Sequence, residues 1–88
     1  MKVRNMTGRS GQPVKNQFIL EDGNSTIFQS YDSIIAMKSG GRTYLDKYRW
    51  DYSTTTGKYR NQFLGMNKKQ IEQAIEDGAI YLVDLNDE

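Results

Sequence analysis

A chain of 88 residues has room for one modest core and one domain. It holds no cysteine and no histidine, which excludes disulfides, the usual zinc ligands and the Ser-His and Cys-His nucleophile pairs. The net charge is +1, and no apolar run approaches the roughly 18 residues of a membrane span; the expected setting is the cytosol, with no membrane partner, no cofactor and no catalytic role.

A short strand over 1–4 opens the chain. Residues 5–16, rich in Gly, Ser and Asn and holding the only proline, Pro13, read as a flexible loop or arm. Residues 16–21 and 25–30 are rich in β-formers and flank Asp22-Gly23-Asn24, whose Asp-Gly pair suits the positive φ angles of a tight hairpin. Residues 33–38 form a third strand with Ile34 and Ala36 on one face and Ile35 and Met37 on the other. Both faces are apolar, which places this strand centrally or under a helix. Ser39-Gly40-Gly41 turns the chain into a fourth strand, 42–46.

The period then changes. Ser53 caps a helix over 54–64, and Gly65 closes it in the left-handed position. Thr55, Tyr59 and Phe63, four apart, form its apolar stripe with Thr56 and Leu64. Three threonines and Gly57 are poor helix formers, Gly57 alone costing about 1 kcal/mol against alanine, so strand or loop is the rival reading. Asn67 and Gln70 fit a capping box for a second helix that buries Ile71, Ala74 and Ile75 and ends at Gly78. Residues 79–85 are a last strand and 86–88 a solvated tail. The expected fold is α+β: a small, mostly antiparallel sheet, a β-meander of about four strands plus a C-terminal strand, with two short helices packed on one face.

Charge is unevenly spread along the chain. Residues 1–20 carry Lys2, Arg4, Arg9 and Lys15 and no acid. Residues 42–69 carry Arg42, Lys47, Arg49, Lys58, Arg60, Lys68 and Lys69 against Asp46 and Asp51. Residues 70–88 carry only acids: Glu72, Glu76, Asp77, Asp84, Asp87 and Glu88. Such asymmetry suits a phosphate-bearing or acidic partner, or charge pairing within the fold or between copies. In the second helix Lys68 and Lys69 at the start, and Glu76 and Asp77 at the end, both oppose the helix dipole.

Residues 48–65 are the densest stretch, with Trp50, three tyrosines and the run Ser53-Thr54-Thr55-Thr56-Gly57-Lys58. The run resembles the end of a P-loop, but Tyr52 and Tyr59 stand where that motif needs Gly and Ser or Thr. A weaker reading remains: helix N–H groups, the Ser53, Thr54 and Thr55 hydroxyls and Lys58 around one anion, with Arg60 close by. The bland reading makes Ser53 a cap, the threonines solvent-facing and Lys58 a surface charge. Gly8-Arg9-Ser10-Gly11-Gln12 could cradle a phosphate on its backbone, with Arg9 paired to it, or remain a disordered arm. Tyr48, Trp50 and Tyr52 share one face if their segment is a strand, with Trp50 either in the core or in a contact surface. The aspartates match no metal or paired-carboxylate spacing.

The blocks NMTGRSGQPVKNQFIL, IFQSYDSIIA and WDYSTTTGKYRNQFLG resemble a family of short uncharacterised proteins encoded by bacteriophages and mobile elements of gut and lactic bacteria. The resemblance implies a phage or mobile-element origin, and a counter-defence role by context alone. The leading expectation is a non-enzymatic binding protein. It would engage a phosphate-bearing ligand (nucleotide or nucleic acid) or a host protein through Arg9, Arg42, Ser53, Thr54, Thr55, Lys58 and Arg60. The alternative is a homo-oligomeric structural or protein–protein interaction module with no nucleotide or nucleic-acid ligand.

Overall fold

A computed structural model describes residues 1–87. Its elements are β1 (Lys2–Thr7), β2 (Pro13–Asp22), β3 (Ser25–Ser30), β4 (Ser33–Ser39), β5 (Arg42–Asp46), α1 (Thr54–Leu64), α2 (Lys68–Glu76) and β6 (Ile80–Val83). Three two-residue turns set the register of the sheet, pairing Asp22 with Ser25, Ser30 with Ser33 and Ser39 with Arg42. Gly40 and Gly41 both have positive φ, 59° and 78°, as a type I′ hairpin turn requires. At the middle turn Tyr31 takes φ 57° without a glycine's freedom, and its N–H bonds the Asn16 carbonyl at 2.7 Å.

The six strands lie in chain order in one mixed sheet. β1 to β5 form an antiparallel meander, and β6 returns through both helices to pair parallel with β5. The α+β expectation holds, with one strand more than the meander of about four. The extra strand is β1, which carries the short strand expected over 1–4 on into the stretch read as a flexible loop or arm, 5–16. Asn5–Thr7 end β1, Pro13–Asn16 begin β2, and only 8–12 remain as the loop between them. Pro13 is tolerated because it opens its strand.

Cross-strand pairs separate the two faces of the sheet. Gln17, Ile19, Phe28, Ser30, Ala36 and Leu45 face the helices. There Phe28 stacks on Phe63 of α1 with ring centroids 5.9 Å apart, and Ser30 and Thr56 share a buried hydroxyl hydrogen bond of 2.9 Å. Ile71 of α2 and Ile80 close the same core. A bulge between Phe28 and Gln29 shifts the β4 alternation, so Ile35 and Ala36 are both fully buried while Ile34 pairs with Gln29. The expected sharing of a face by Ile34 and Ala36 fails for that reason.

Both helices begin and end where the residues dictate. Ser53 Oγ accepts the Thr56 N–H at 3.1 Å, and Gly65 ends α1 at φ 68°. Thr56, Gly57, Tyr59 and Arg60 are buried in α1, and Phe63 and Leu64 pack against the core, so the expected stripe fails only at Thr55, which is exposed. From the sheet, Lys38 donates to the Phe63 carbonyl at 2.9 Å, placing a cation at the negative end of α1. Asn67 and Gln70 complete both halves of the capping box of α2.

Asp46 is fully buried and ties three segments together. Its carboxylate accepts the N–H groups of Tyr48 and Leu85, and its carbonyl accepts that of Trp50. Residues 47–51 are therefore a turn, not a strand, so the alternation expected of Tyr48, Trp50 and Tyr52 does not apply. The tail after β6 is not simply solvated. Asn86 bonds both the N–H and the carbonyl of Ile34 through its side chain. Glu88 lies outside the described residues.

Candidate anion-binding cleft

Arg60 organises the start of α1. It is 2 % exposed, and its guanidinium lies over the Trp50 ring at 5.2 Å. Nη1 donates to the Trp50 carbonyl at 2.7 Å and to Asp51 Oδ1 at 3.2 Å, while Nε and Nη2 both reach Asn61 Oδ1. A planar five-donor group suits this set of acceptors as a lysine would not. Gly57 lies against it, since a Cβ there would sit 3.4 Å from Arg60 Nη2. Arg60, expected to bind ligand, is instead an internal strut, and Trp50 packs against the core.

The other oxygen of Asp51 takes Lys68 at 2.8 Å. That hydrogen bond, ahead of the one from Arg60, holds the Asp51 carboxyl below its ordinary value, and the same contact raises Lys68. Lys68 thus pairs with an acid from another segment, which answers its unfavourable place at the start of α2.

Two hollows flank α1. The first, about 640 Å³, is lined by Asp51, Ser53, Thr54, Gly57, Lys58, Arg60, Asn61 and Lys68. It is a poor anion site, because Asp51 brings a carboxylate into it and already engages both Arg60 and Lys68. Thr56, one of the threonines read as solvent-facing, turns inward to Ser30; Thr54 and Thr55 remain exposed.

The second hollow, about 380 Å³, lies between the β1–β2 loop and α1. Thr7, Gly8, Arg9, Lys58, Tyr59 and Gln62 line it. Gln62 donates to the Thr7 carbonyl at 2.9 Å and fixes the loop to the helix. The loop is closed upon itself: Gly8 N–H bonds the Gln12 carbonyl, and Gly11 N–H bonds that of Gly8. Those two N–H groups are spent, which leaves fewer donors for the backbone cradle weighed for this loop. What it supplies is the Arg9 side chain. Neither Arg9 nor Lys58 forms an ion pair with another described residue. Lys58 lies 5.3 Å from the Tyr59 ring centroid, held over its face.

Of the residues expected to bind ligand, the fold brings Arg9 and Lys58 together. Ser53, Thr54 and Lys58 line the Asp51 hollow. Arg42 stands apart, paired with Ser39 at the end of the sheet away from Ser30 and the first turn of α1. Gln62 and Thr7 were not singled out as ligand contacts. The four-residue step from Lys58 to Gln62 is the one local signal that puts these two on a common helix face.

Fold and cleft together define a small α+β protein with a mixed sheet and a two-cation hollow beside its first helix. The chain belongs to a family of unknown function, DUF8033, whose model matches residues 1–78. The matched span includes the sheet through β5, both helices and every residue of both hollows. No curated protein and no solved structure matches the chain. No described helix is long and apolar enough to cross a membrane.

Proposed function

We propose that this protein is a non-enzymatic binder of a phosphate-bearing ligand, held between Arg9 and Lys58. The observation that carries the reading is that these two cations come from separate elements, lack ion-pair partners among the described residues, and line one hollow. An arginine fork and a lysine point charge are the usual means of holding phosphate oxygens. About 380 Å³ lies near the lower end of small-ligand pockets, which suits a mononucleotide or one unit of a single strand. The resemblance to phage and mobile-element proteins supplies a setting, in which such a binder sequesters a nucleotide or engages a host protein in the cytosol.

Titration of a mononucleotide and of a short labelled single-stranded DNA tests this reading. Wild type is expected to bind at low salt, with affinity falling as salt rises. Arg9→Glu and Lys58→Glu are each expected to weaken binding at least tenfold, while Arg42→Glu leaves it unchanged. Affinity that is flat in salt, or equal in wild type and both variants, would sink the proposal.

A further inference from the structure

The helices cover one face of the sheet, and the opposite face carries an apolar row that crosses all six strands. Register aligns Val3 with Leu20, Leu20 with Ile27, Ile27 with Met37, Met37 with Tyr44, and Tyr44 with Tyr81. Val3 is 61 % and Tyr81 43 % exposed at the two edges, and the four between are partly exposed. The Tyr44 and Tyr81 rings lie 5.7 Å apart. The described part of the C-terminal tail bonds the sheet at the end near Ile34 and Asp46. A continuous apolar row of this kind marks an interaction surface more often than scattered exposed residues do.

A second row runs beside it near one end of the strands: Asp22, Ser25, Ser39 and Arg42. The Ser25 and Ser39 hydroxyls bond at 2.8 Å and join the two middle members of the row. It has an acid on β2 at one end and a base on β5 at the other. Neither Asp22 nor Arg42 forms an ion pair with another described residue.

We infer that this face is a twofold dimer interface whose occupant is a second copy of the chain. Let the axis run between the two sheets, parallel to the strands and over the β3–β4 seam. It reverses strand order, so β1 meets β6, β2 meets β5 and β3 meets β4. Each Asp22 then faces Arg42 of the second copy, and the contact occurs twice, as an isologous interface requires. The apolar row is complementary under the same operation. Val3 faces the larger Tyr81, Leu20 faces Tyr44, and Ile27 faces Met37 at the centre. Strand directions are kept, which gives the aligned sandwich in which two twisted sheets pack best. Six strands span about 24 Å, so roughly 500 Å² per copy is covered, or about 1,000 Å² in total, at the threshold for a specific reversible interface. This use of Arg42 is independent of the Arg9–Lys58 hollow.

Sedimentation velocity on the full chain, across a range of concentrations from low to high micromolar, tests the inference. A concentration-dependent dimer is expected. Ile27→Asp is expected to weaken it at least tenfold, by placing a carboxylate at the centre of the apolar row. Asp22→Arg and Arg42→Asp are each expected to weaken it several-fold through like-charge contacts. The double variant Asp22→Arg with Arg42→Asp is expected to recover the dimer, because each pair is remade with its signs exchanged. Both charge positions are exposed, so these variants leave the core untouched, and circular dichroism confirms folding. A monomer at every concentration overturns the inference. A dimer indifferent to Ile27→Asp, or a double charge variant no better than the singles, overturns this face and this axis.

Discussion

Arg60 and Trp50 are joined twice: the guanidinium lies 5.2 Å from the indole ring centroid, and Nη1 donates to the Trp50 carbonyl at 2.7 Å. One side chain thereby fixes both the ring and the backbone of the connector that leads from β5 into α1. Asp51 and Asn61 take the remaining donors. Arg60→Ala is expected to destabilise the protein by about 2–4 kcal/mol, through lost hydrogen bonds, lost stacking and a cavity. Arg60→Lys is expected to recover little of this, since one ammonium nitrogen cannot span the acceptors that three guanidinium nitrogens reach. Urea denaturation followed by Trp50 fluorescence measures both, and a loss below about 0.5 kcal/mol for the alanine variant would remove Arg60 from this role.

Gly57 offers a test of opposite sign. A methyl at this position meets the Arg60 guanidinium at 3.4 and 3.7 Å, which is ordinary van der Waals contact. Gly57→Ala therefore keeps the strut and adds helix propensity, raising stability by about 0.5–1 kcal/mol. Gly57→Leu drives a branched side chain into the same buried space and is expected to lower it by about 1–3 kcal/mol. Thermal melts of the two variants should fall on opposite sides of wild type.

Gln17 is fully buried opposite Ser30, and neither polar atom of its carboxamide has a hydrogen-bond partner among the described residues. Methionine has nearly the same length and no polar group to desolvate. Gln17→Met is expected to stabilise by about 1 kcal/mol or more. A loss of stability on this substitution would show that the carboxamide is satisfied in solution.

The pair Asp51–Lys68 sets a pH dependence with a definite sign. The Lys68 hydrogen bond first, and Arg60 after it, lower the Asp51 pKa from its ordinary 3.8. A group lowered on folding contributes stability that is whole above its unfolded value and is lost as pH falls through the folded one. Lys68 is raised above 10.5, so its share is whole below that value and is lost as pH rises through the higher one. The Asp51 side chain is 41 % exposed, so solvent screening keeps its increment to at most about 1 kcal/mol. The stability difference between wild type and Asp51→Asn should be constant near neutrality and shrink below about pH 4. A difference independent of pH across that range would contradict the assignment.

Local chemistry was legible in the chain itself. Asp22-Gly23 and Gly40-Gly41 announce tight turns, Ser53 and Gly65 bracket α1, and Asn67 with Gln70 start α2, because each of these acts over four residues or fewer. Apolar spacing likewise marked Ile71, Ala74 and Ile75 as the inner side of α2. The strand expected over 1–4 was too short, because Lys2, Arg4 and Asn5 give an edge strand no apolar run to mark its continuation to Thr7. Its ladder to β2 depends on backbone groups that every residue carries.

Composition and spacing alone determined the α+β class, the two capped helices and the absence of thiol and imidazole chemistry. The tertiary structure decided which charges are spent and which are free. Arg60 looks from its neighbours like a surface cation, yet Trp50, Asp51 and Asn61 enclose it. Arg9 and Lys58, 49 positions apart in the numbering, meet only because Gln62 holds the Thr7 carbonyl against α1. Arg42, grouped with them by composition, is carried to the far end of the sheet and onto its other face. Burial and ion pairing depend on distances through space, and strand order sets those distances after local propensity has done its part.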